Sequence, residues 1–411
     1  MIKHVFSVTL LAIGILLAST VAFAVDSKVP EPFQGFDATS KHRITYDDLN
    51  KVLKLVVVDS GRSNREKAEH TQAKTGTRMK VKVQRSTINE GNRVYYEIFR
   101  DEESARQVLQ DQKKSLEGLP TEAPLIYFSR DEQLAYWLNL YNITLINEVA
   151  SVYPKRKLKK LLTGKKSILS RKILNVAGVP LSLDDIQHII LKQNYDNNPL
   201  IMYGLYQGII GGPNIRKSAY TGANVYRNLA DNAAEFVNSN RGTYAKDERV
   251  FRASSLYDRN RGYFQDFQAD LKKHLLAHLE GTEQGELKVA STIKPDISDW
   301  TVTDLYGSYP QIGGSLAENN AALLDATSTM TTSDGTGNLA GPAYSNSFRI
   351  MAKSSTTSYV SPELTVYLRE LKLKQDATNR DKATVTVEEL GEVPVEPDPD
   401  SRSEPDDQEN D

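Results

Sequence analysis

One segment, residues 130–152, constrains the fold of this 411-residue chain more than any other. Ser129 and Glu132 have the spacing of a capping box, in which each side chain bonds a free backbone N–H at a helix start. Pro154 ends the helix, because the residue before a proline is kept out of the helical conformation. Apolar residues occur on every side of this helix, which is typical of a buried central helix. We therefore expect a core built around it.

The patterns on either side of this helix predict an α+β fold, a helix-rich domain with a small central sheet around the buried helix. Two apolar segments, residues 92–99 and 200–210, are interpreted as strands, the second of them buried. Amphipathic or capped segments predict the other helices. These lie near residues 45–58, 102–116, 182–192, 223–238 and 263–279.

The first 24 residues have the three parts of a cleavable signal peptide. Lys3 supplies positive charge, residues 5–21 are mostly apolar, and Ala22-Phe23-Ala24 fits the site that signal peptidase cuts. The alternative is an uncleaved anchor, but the apolar run is shorter than the roughly 20 residues that a membrane-spanning helix needs. We predict an exported protein, periplasmic in a Gram-negative cell and secreted otherwise, with no transmembrane segment after cleavage.

Composition divides the rest of the chain into four parts. Residues 25–40 are predicted to form an extended leader, and residues 41–313 the main domain. Residues 314–375 are a Ser/Thr/Gly-rich extension with one segment that fits a helix. Residues 376–411 are predicted to be a disordered acidic tail, because residues 388–411 hold 11 acidic residues, one basic residue and four prolines.

The chain contains no cysteine. Disulfides, thiol nucleophiles, iron–sulfur clusters and cysteine-ligated zinc are therefore excluded. An exported protein without disulfides has to fold on its hydrophobic core alone, so we expect a sizeable core.

Two asparagines of the central helix are the first candidate site residues. Asn139 and Asn142 are three residues apart and share one helix face. A buried amide needs hydrogen-bond partners. The pair is interpreted either as the wall of a polar pocket or as two braces that tie the helix to neighbouring backbone.

His188 is the candidate catalytic residue. Asp184 precedes it by one helical turn, and a carboxylate at that spacing can orient an imidazole that acts as a general base. The alternative is a structural or merely exposed histidine. His274 and His278 are also one turn apart, but they lack the intervening glutamate of a zinc-enzyme motif. We expect no metal and no cofactor.

Three segments resemble the family known as domain of unknown function 547, found in bacteria and plants. The first is the most specific, because it places a tryptophan and two asparagines on one capped helix. The resemblance covers roughly residues 40–310 and is closest over 125–240. The segments are residues 131–142 (DEQLAYWLNLYN), 181–191 (LSLDDIQHIIL) and 199–215 (PLIMYGLYQGIIGGPNI).

The resemblance implies a mixed α/β domain with no known cofactor and no established reaction. It also implies an asparagine–cysteine pair and a second cysteine before proline, at positions that are Tyr206, Gln207 and Gly212 here. The amide of Gln207 is not a nucleophile and only forms hydrogen bonds. If members of the family use a thiol, this chain has lost it, while a binding pocket with His188 remains.

A basic segment, residues 155–172, holds nine basic residues and no acidic residue. Such a segment is interpreted either as a contact with an anionic surface, such as lipid headgroups or cell-wall polymers, or as a solvated connection. The candidates for that contact are Lys155, Arg156, Lys157, Lys159, Lys160, Lys165 and Lys166.

The leading functional hypothesis is an exported, non-catalytic binding or accessory protein of the cell envelope. Its pocket would hold Asn139, Asn142, His188 and Gln207. One alternative is a hydrolase or acyl-transfer enzyme in which His188 and Asp184 act on a bound water. Another is a structural envelope protein held by the basic segment. The expected partner is an anionic envelope component or a protein, and not nucleic acid, because the protein is exported.

Overall fold

The computed structural model of the chain describes residues 28–63, 65, 87, 90–305 and 373. The predicted signal peptide (1–24) and acidic tail (376–411) lie outside the described residues, as does the extension 314–375 apart from residue 373. By its internal contacts the chain divides into two units, Met1–Ser361 and Pro362–Asp411. All the elements below belong to the first unit.

Helices make up most of the described domain. They are α1 (Asp47–Val56), α2 (Tyr96–Asp101), α3 (Glu103–Glu122), α4 (Arg130–Val152), α5 (Lys159–Leu162), α6 (Leu183–Asp185), α7 (Lys192–Asn194), α8 (Val225–Val237), α9 (Ser255–Arg259), α10 (Phe267–His278) and α11 (Gly281–Val289). A π-helical stretch, Ile186–Leu191, joins α6 to α7. None of the helices in the described ranges is both long and apolar enough to cross a membrane.

The strands are short and form three separate sheets. They are β1 (Val57–Val58), β2 (Arg93–Val94), β3 (Leu174–Val176), β4 (Val179–Leu181), β5 (Thr243–Ala245), β6 (Val250–Ser254) and β7 (Thr292–Ile297). β1 pairs with β2 and β3 pairs with β4, both antiparallel, while β6 lies between antiparallel β5 and parallel β7. This helix-rich architecture with sheets of two or three strands confirms the predicted α+β class.

Helix α4 has the predicted bounds and is buried on all sides. The Ser129 hydroxyl accepts a hydrogen bond from the Glu132 backbone N–H, as the capping pattern requires. Trp137 is fully buried and packs edge-on against Phe33, with ring centroids 4.9 Å apart. The Gln133 side chain donates to the carbonyl of Gly35 at 3.0 Å. Residues 33–35, in the segment predicted as a leader, are thus anchored on the central helix.

Two predicted strands are wrong. Of residues 92–99, only the two residues of β2 are extended, and α2 begins at Tyr96. Residues 200–210 begin instead with a 3-10 helix, Pro199–Gly204. The Asn198 side chain accepts from the Leu200 backbone N–H at 3.0 Å, and Pro199 has a φ fixed for a helical start. This local cap favours a helical turn over the apolar run's strand propensity.

Residues 299–304 lie between two other parts of the chain. On one side, Ile210 donates its backbone N–H to the Thr301 carbonyl at 2.8 Å. On the other, Leu158 donates its N–H to the Trp300 carbonyl at 2.9 Å. The segment therefore joins the loop after the 3-10 helix to the start of the basic segment.

The glycines of the 208–212 loop allow this close approach. Gly208 has a φ of +69°, a conformation that side chains rarely adopt. A Cβ atom on Gly211 would lie 2.6 Å from the backbone nitrogen of Asp299. Glycine at this loop is therefore explained by the approach of another backbone segment.

Candidate functional site

The amides of Asn139 and Asn142 are bonded to backbone. Asn139 donates to the Tyr220 carbonyl at 2.8 Å and accepts from the Tyr220 N–H at 2.9 Å. Asn142 donates to the Gly204 carbonyl and accepts from the Tyr206 N–H, both at 2.9 Å. Each amide thus satisfies one backbone N–H and one backbone carbonyl that would otherwise be buried without a partner. The two asparagines fix residues 204–206 and Tyr220 against α4.

A small cavity lies beside these two asparagines. Its volume is about 10 Å³. That is the space of about one water molecule, too little for an organic ligand. Its lining residues are Leu49, Leu53, Asn139, Asn142, Ile143, Ile215, Arg216, Ser218 and Tyr220.

His188 and Asp184 lie on the helix formed by α6 and the π-helical stretch. Asp184 is half-buried and His188 is exposed. Burial raises the pKa of Asp184, although the nearby His188 opposes this. The pKa of His188 is lowered, mainly because neighbouring protein displaces water from around the imidazole, although the residue as a whole is exposed. An imidazole with a lowered pKa is neutral at pH 7 and can accept a proton.

Tyr141 is a buried tyrosine whose hydroxyl is affected by the charges of Asp184 and Arg259. It lies on α4 and is 2% exposed. Burial raises the pKa of the Tyr141 hydroxyl, the negative charge of Asp184 raises it further, and the positive charge of Arg259 lowers it. The hydroxyl is therefore within electrostatic range of both charged groups.

Gln207 is held by Arg259. The Arg259 guanidinium donates to the Gln207 side-chain oxygen at 2.6 Å and to the Ser255 hydroxyl at 2.8 Å. Burial lowers the pKa of Arg259 to about 10, opposed by the charges of Tyr141 and Asp258. No carboxylate among the described residues forms an ion pair with it. A guanidinium has five N–H donors, so three of the five have no partner in the described part of the chain.

Trp300 completes this region. The Arg259 guanidinium lies 4.9 Å from the centre of its ring, within the range of a cation–π interaction. The ammonium of Lys159 lies 6.0 Å from the same centre. Gln207, Arg259 and Trp300 are all half-buried, so the group lies at the surface but is not fully exposed. We call Gln207, Arg259 and Trp300 the Arg259 site.

All seven candidates of the basic segment are exposed. Lys157 forms a 3.8 Å ion pair with Asp299 and a short hydrogen bond to the Thr301 hydroxyl. The other six have no carboxylate partner among the described residues. The segment thus presents mostly uncompensated positive charge to solvent.

The structure therefore joins Gln207 to Arg259 by a hydrogen bond, and the charges of Asp184 and Arg259 both act on the hydroxyl of Tyr141. Asn142 touches this region only through the backbone of Tyr206, and Asn139 contacts Tyr220 instead. Arg259 and Trp300 were not predicted from the sequence. The only available signal was that Trp300 is one of two tryptophans in the sequence. A single tryptophan does not form a motif that would place it beside Arg259.

His274 and His278 lie in a different place, against the aromatic core. The Tyr203 hydroxyl is 2.8 Å from Nε2 of His274, and the two rings are stacked. The two imidazole rings are 5.1 Å apart. Among the described residues, no group of three or more His, Asp or Glu side chains is placed to hold a metal ion.

The fold and the site define a helix-rich α+β domain that has no cysteine and that holds a half-buried arginine, Arg259, at its surface. Residues 125–237 match the family described as "Protein of unknown function, DUF547", which confirms the resemblance expected from the sequence. The match covers the whole of α4, α6, the π-helical stretch and α8. No curated protein and no solved structure matches the chain.

Proposed function

We propose that this protein is a non-catalytic binding or accessory protein of the cell envelope whose ligand carries an anionic group. The observation that carries the proposal is the half-buried guanidinium of Arg259, which has no carboxylate partner among the described residues. Removing a charge from water costs free energy unless an opposite charge compensates it. A bound carboxylate or phosphate would supply that charge.

Arg259 is suited to such a ligand. The planar guanidinium binds carboxylate and phosphate oxygens with paired N–H donors. Its contact with Trp300 and its bond to Gln207 restrict its orientation before any ligand arrives. A group that is already oriented loses less entropy on binding.

The absence of a nucleophile at position 207 favours binding over covalent catalysis. The amide nitrogen of Gln207 does not attack carbonyl groups, and its oxygen is already bonded to Arg259. The resemblance implies a cysteine at this position in the family. In this chain the side chain at position 207 accepts a hydrogen bond from Arg259 and so helps to orient its guanidinium.

Export, predicted from residues 1–24, would place the Arg259 site among envelope molecules. Carboxylated sugars, phosphorylated polymers and peptide C-termini all carry the anionic group that the site requires. Asn142 supports the site by fixing the chain just before Gln207, and Asn139 fixes Tyr220 further along the chain. Neither amide contacts the ligand in this proposal.

A thermal-shift experiment with matched ligands tests this proposal. Each anionic compound is paired with a neutral one: glucuronate with glucose, and a peptide acid with its amide. We expect at least one anion to raise the Tm of the wild type by a few degrees at saturating concentration. Arg259→Gln should lose this shift. Arg227→Gln, an exposed arginine with no partner among the described residues, should keep it. Equal shifts from the neutral partners would contradict the proposal.

A second candidate function is hydrolysis with His188 as the general base. The observation in its favour is the lowered pKa of His188 beside Asp184. Esters and amides of the same anionic compounds would be incubated with the wild type and with His188→Ala. Turnover by the wild type that disappears in His188→Ala would favour an enzyme. No turnover by either protein, with Arg259-dependent binding retained in His188→Ala, would favour a binding protein.

A further inference from the structure

We infer that the basic segment and the Arg259 site form one continuous surface for a flexible anionic polymer. Carboxylate or phosphate groups of the polymer lie along the basic segment, and one of them reaches Arg259. This inference rests on the proposed function only at its Arg259 end.

Most of the positive charge in the basic segment is not neutralised within the domain. Three of its nine basic residues form ion pairs: Lys157 with Asp299 at 3.8 Å, Arg171 with Glu148 at 3.2 Å, and Lys172 with Asp185 at 2.5 Å. The other six are exposed and have no carboxylate partner in the described ranges. These six are Lys155, Arg156, Lys159, Lys160, Lys165 and Lys166.

Backbone hydrogen bonds attach the basic segment to the Arg259 site. Leu158 donates to the Trp300 carbonyl, and Val302 donates to the Arg156 carbonyl, both at 2.9 Å. Lys159 and Arg259 both lie over the ring of Trp300, at 6.0 and 4.9 Å. The exposed lysines and arginines of the basic segment and the half-buried Arg259 therefore come together at Trp300.

The surface favours a polymer over a membrane. Peripheral membrane surfaces usually combine basic residues with exposed apolar side chains that enter the bilayer. Every leucine and isoleucine at positions 155–172 is buried or half-buried. Arg259 is itself half-buried, so a flexible chain can reach it more easily than headgroups fixed in a flat bilayer. Two polymers, one with carboxylates and one with phosphates, identify which group is bound.

Binding of fluorescent poly-L-glutamate and of polyphosphate to the purified protein tests the inference by anisotropy at low salt. We expect Lys160→Gln/Lys165→Gln/Lys166→Gln to weaken binding by about ten-fold or more, because three exposed cations are removed. Arg259→Gln should weaken it by several-fold. A control triple removes the same charge elsewhere. Its substitutions are Lys54→Gln, Lys114→Gln and Lys273→Gln, all at exposed positions without a partner among the described residues.

Phosphatidylglycerol vesicles are tested alongside the two polymers. Five outcomes would overturn the inference: no binding of either polymer, unchanged binding in the Lys160→Gln/Lys165→Gln/Lys166→Gln variant, an equal loss in the control triple, unchanged binding in Arg259→Gln, or binding only to the vesicles. The two proposals fail in different experiments. If the Lys160/165/166 variant binds polymer normally while small anions still stabilise the protein through Arg259, the surface is wrong and the proposed function stands. If no small anion stabilises the protein through Arg259, the proposed function fails by itself.

Discussion

A hydrogen bond of 2.6 Å joins the Arg259 guanidinium to the side-chain oxygen of Gln207. The two residues are 52 positions apart in the chain. The bond holds the amide at the position where the family resemblance implies a cysteine. In this chain the site is therefore organised around a cation, and residue 207 orients that cation.

Replacing Gln207 by cysteine should create a reactive thiol. A nearby guanidinium stabilises a thiolate, so we expect the pKa of the new thiol to fall below its usual value of about 8.5. Burial opposes this effect, but Arg259 lies within hydrogen-bond distance of the side chain at this position. The chain has no other cysteine, so iodoacetamide labels this thiol alone. The measurement is the alkylation rate between pH 6 and 9.

Two further variants make this prediction specific. Gln207→Cys/Arg259→Gln removes the cation and should shift the rate profile to higher pH. Ser151→Cys places a thiol at an exposed position and should titrate near the usual value. Identical profiles for Gln207→Cys with and without Arg259 would show that the guanidinium does not act on residue 207.

Asn139 and Asn142 should matter for stability. Replacing either by alanine leaves a backbone N–H and a backbone carbonyl without their partners in the interior. An unsatisfied buried polar group costs about 1–3 kcal/mol. We expect each substitution to lower the free energy of unfolding by that amount in urea titrations. Asn175→Ala, at an exposed position of β3, is the control and should change it by less than about 0.5 kcal/mol. Loss of ligand binding without loss of stability would instead favour a direct ligand role.

The central helix could be predicted because its signals are local. The cap at Ser129, the stop at Pro154 and the apolar residues between them are all contained in the helix and its flanks. The same reasoning failed for residues 200–210, because a short apolar run fits either a strand or a buried turn. The cap at Asn198 was the deciding signal.

The candidate site was only partly predictable, because it depends on contacts between distant parts of the chain. Asn139 and Asn142 could be recognised as buried amides, but the sequence could not show that Tyr220, Gly204 and Tyr206 supply their partners. Arg259 follows Asp258 in a charged stretch and has no distinguishing pattern. Only the fold places it between Gln207 and Trp300.

His274 should make stability depend on pH. Burial lowers its pKa to about 3, and the nearby His278 contributes to the shift. In the unfolded chain the group titrates near pH 6.5, so below that pH the unfolded state binds a proton that the native state does not. Stability should therefore fall as the pH decreases from about 6.5 toward 3. We expect His274 to account for about 2 kcal/mol or less of the change between pH 7 and 5.

His274→Gln tests this dependence. The glutamine does not titrate, and its oxygen can still accept a hydrogen bond from Tyr203. The variant should lose less stability than the wild type between pH 7 and 5 in urea titrations. Tyr203, Phe264 and His278 all contact the His274 ring. An unchanged pH dependence in His274→Gln would assign the effect to another group.

Arg241 should be the most sensitive charged residue of the described core. It is 1% exposed, forms an ion pair with Glu235, and donates to the Gly212 carbonyl at 3.0 Å and to the Asn214 side chain at 3.1 Å. Burial already raises the pKa of Glu235, and Arg241 opposes that increase. Arg241→Met leaves the carboxylate without compensation, so we expect a loss of about 3–5 kcal/mol in the free energy of unfolding.

The double variant Glu235→Gln/Arg241→Met separates the effect of the unpaired Glu235 carboxylate from the effect of the lost Arg241 hydrogen bonds. Neutralising Glu235 removes the buried unpaired carboxylate, so the double variant should be more stable than Arg241→Met alone. The remaining loss reflects the bonds to Gly212 and Asn214, which fix the end of the loop that follows Gln207. If the double variant is no more stable than the single one, Arg241 acts mainly through that loop, and ligand affinity at Arg259 should then fall with stability in both variants.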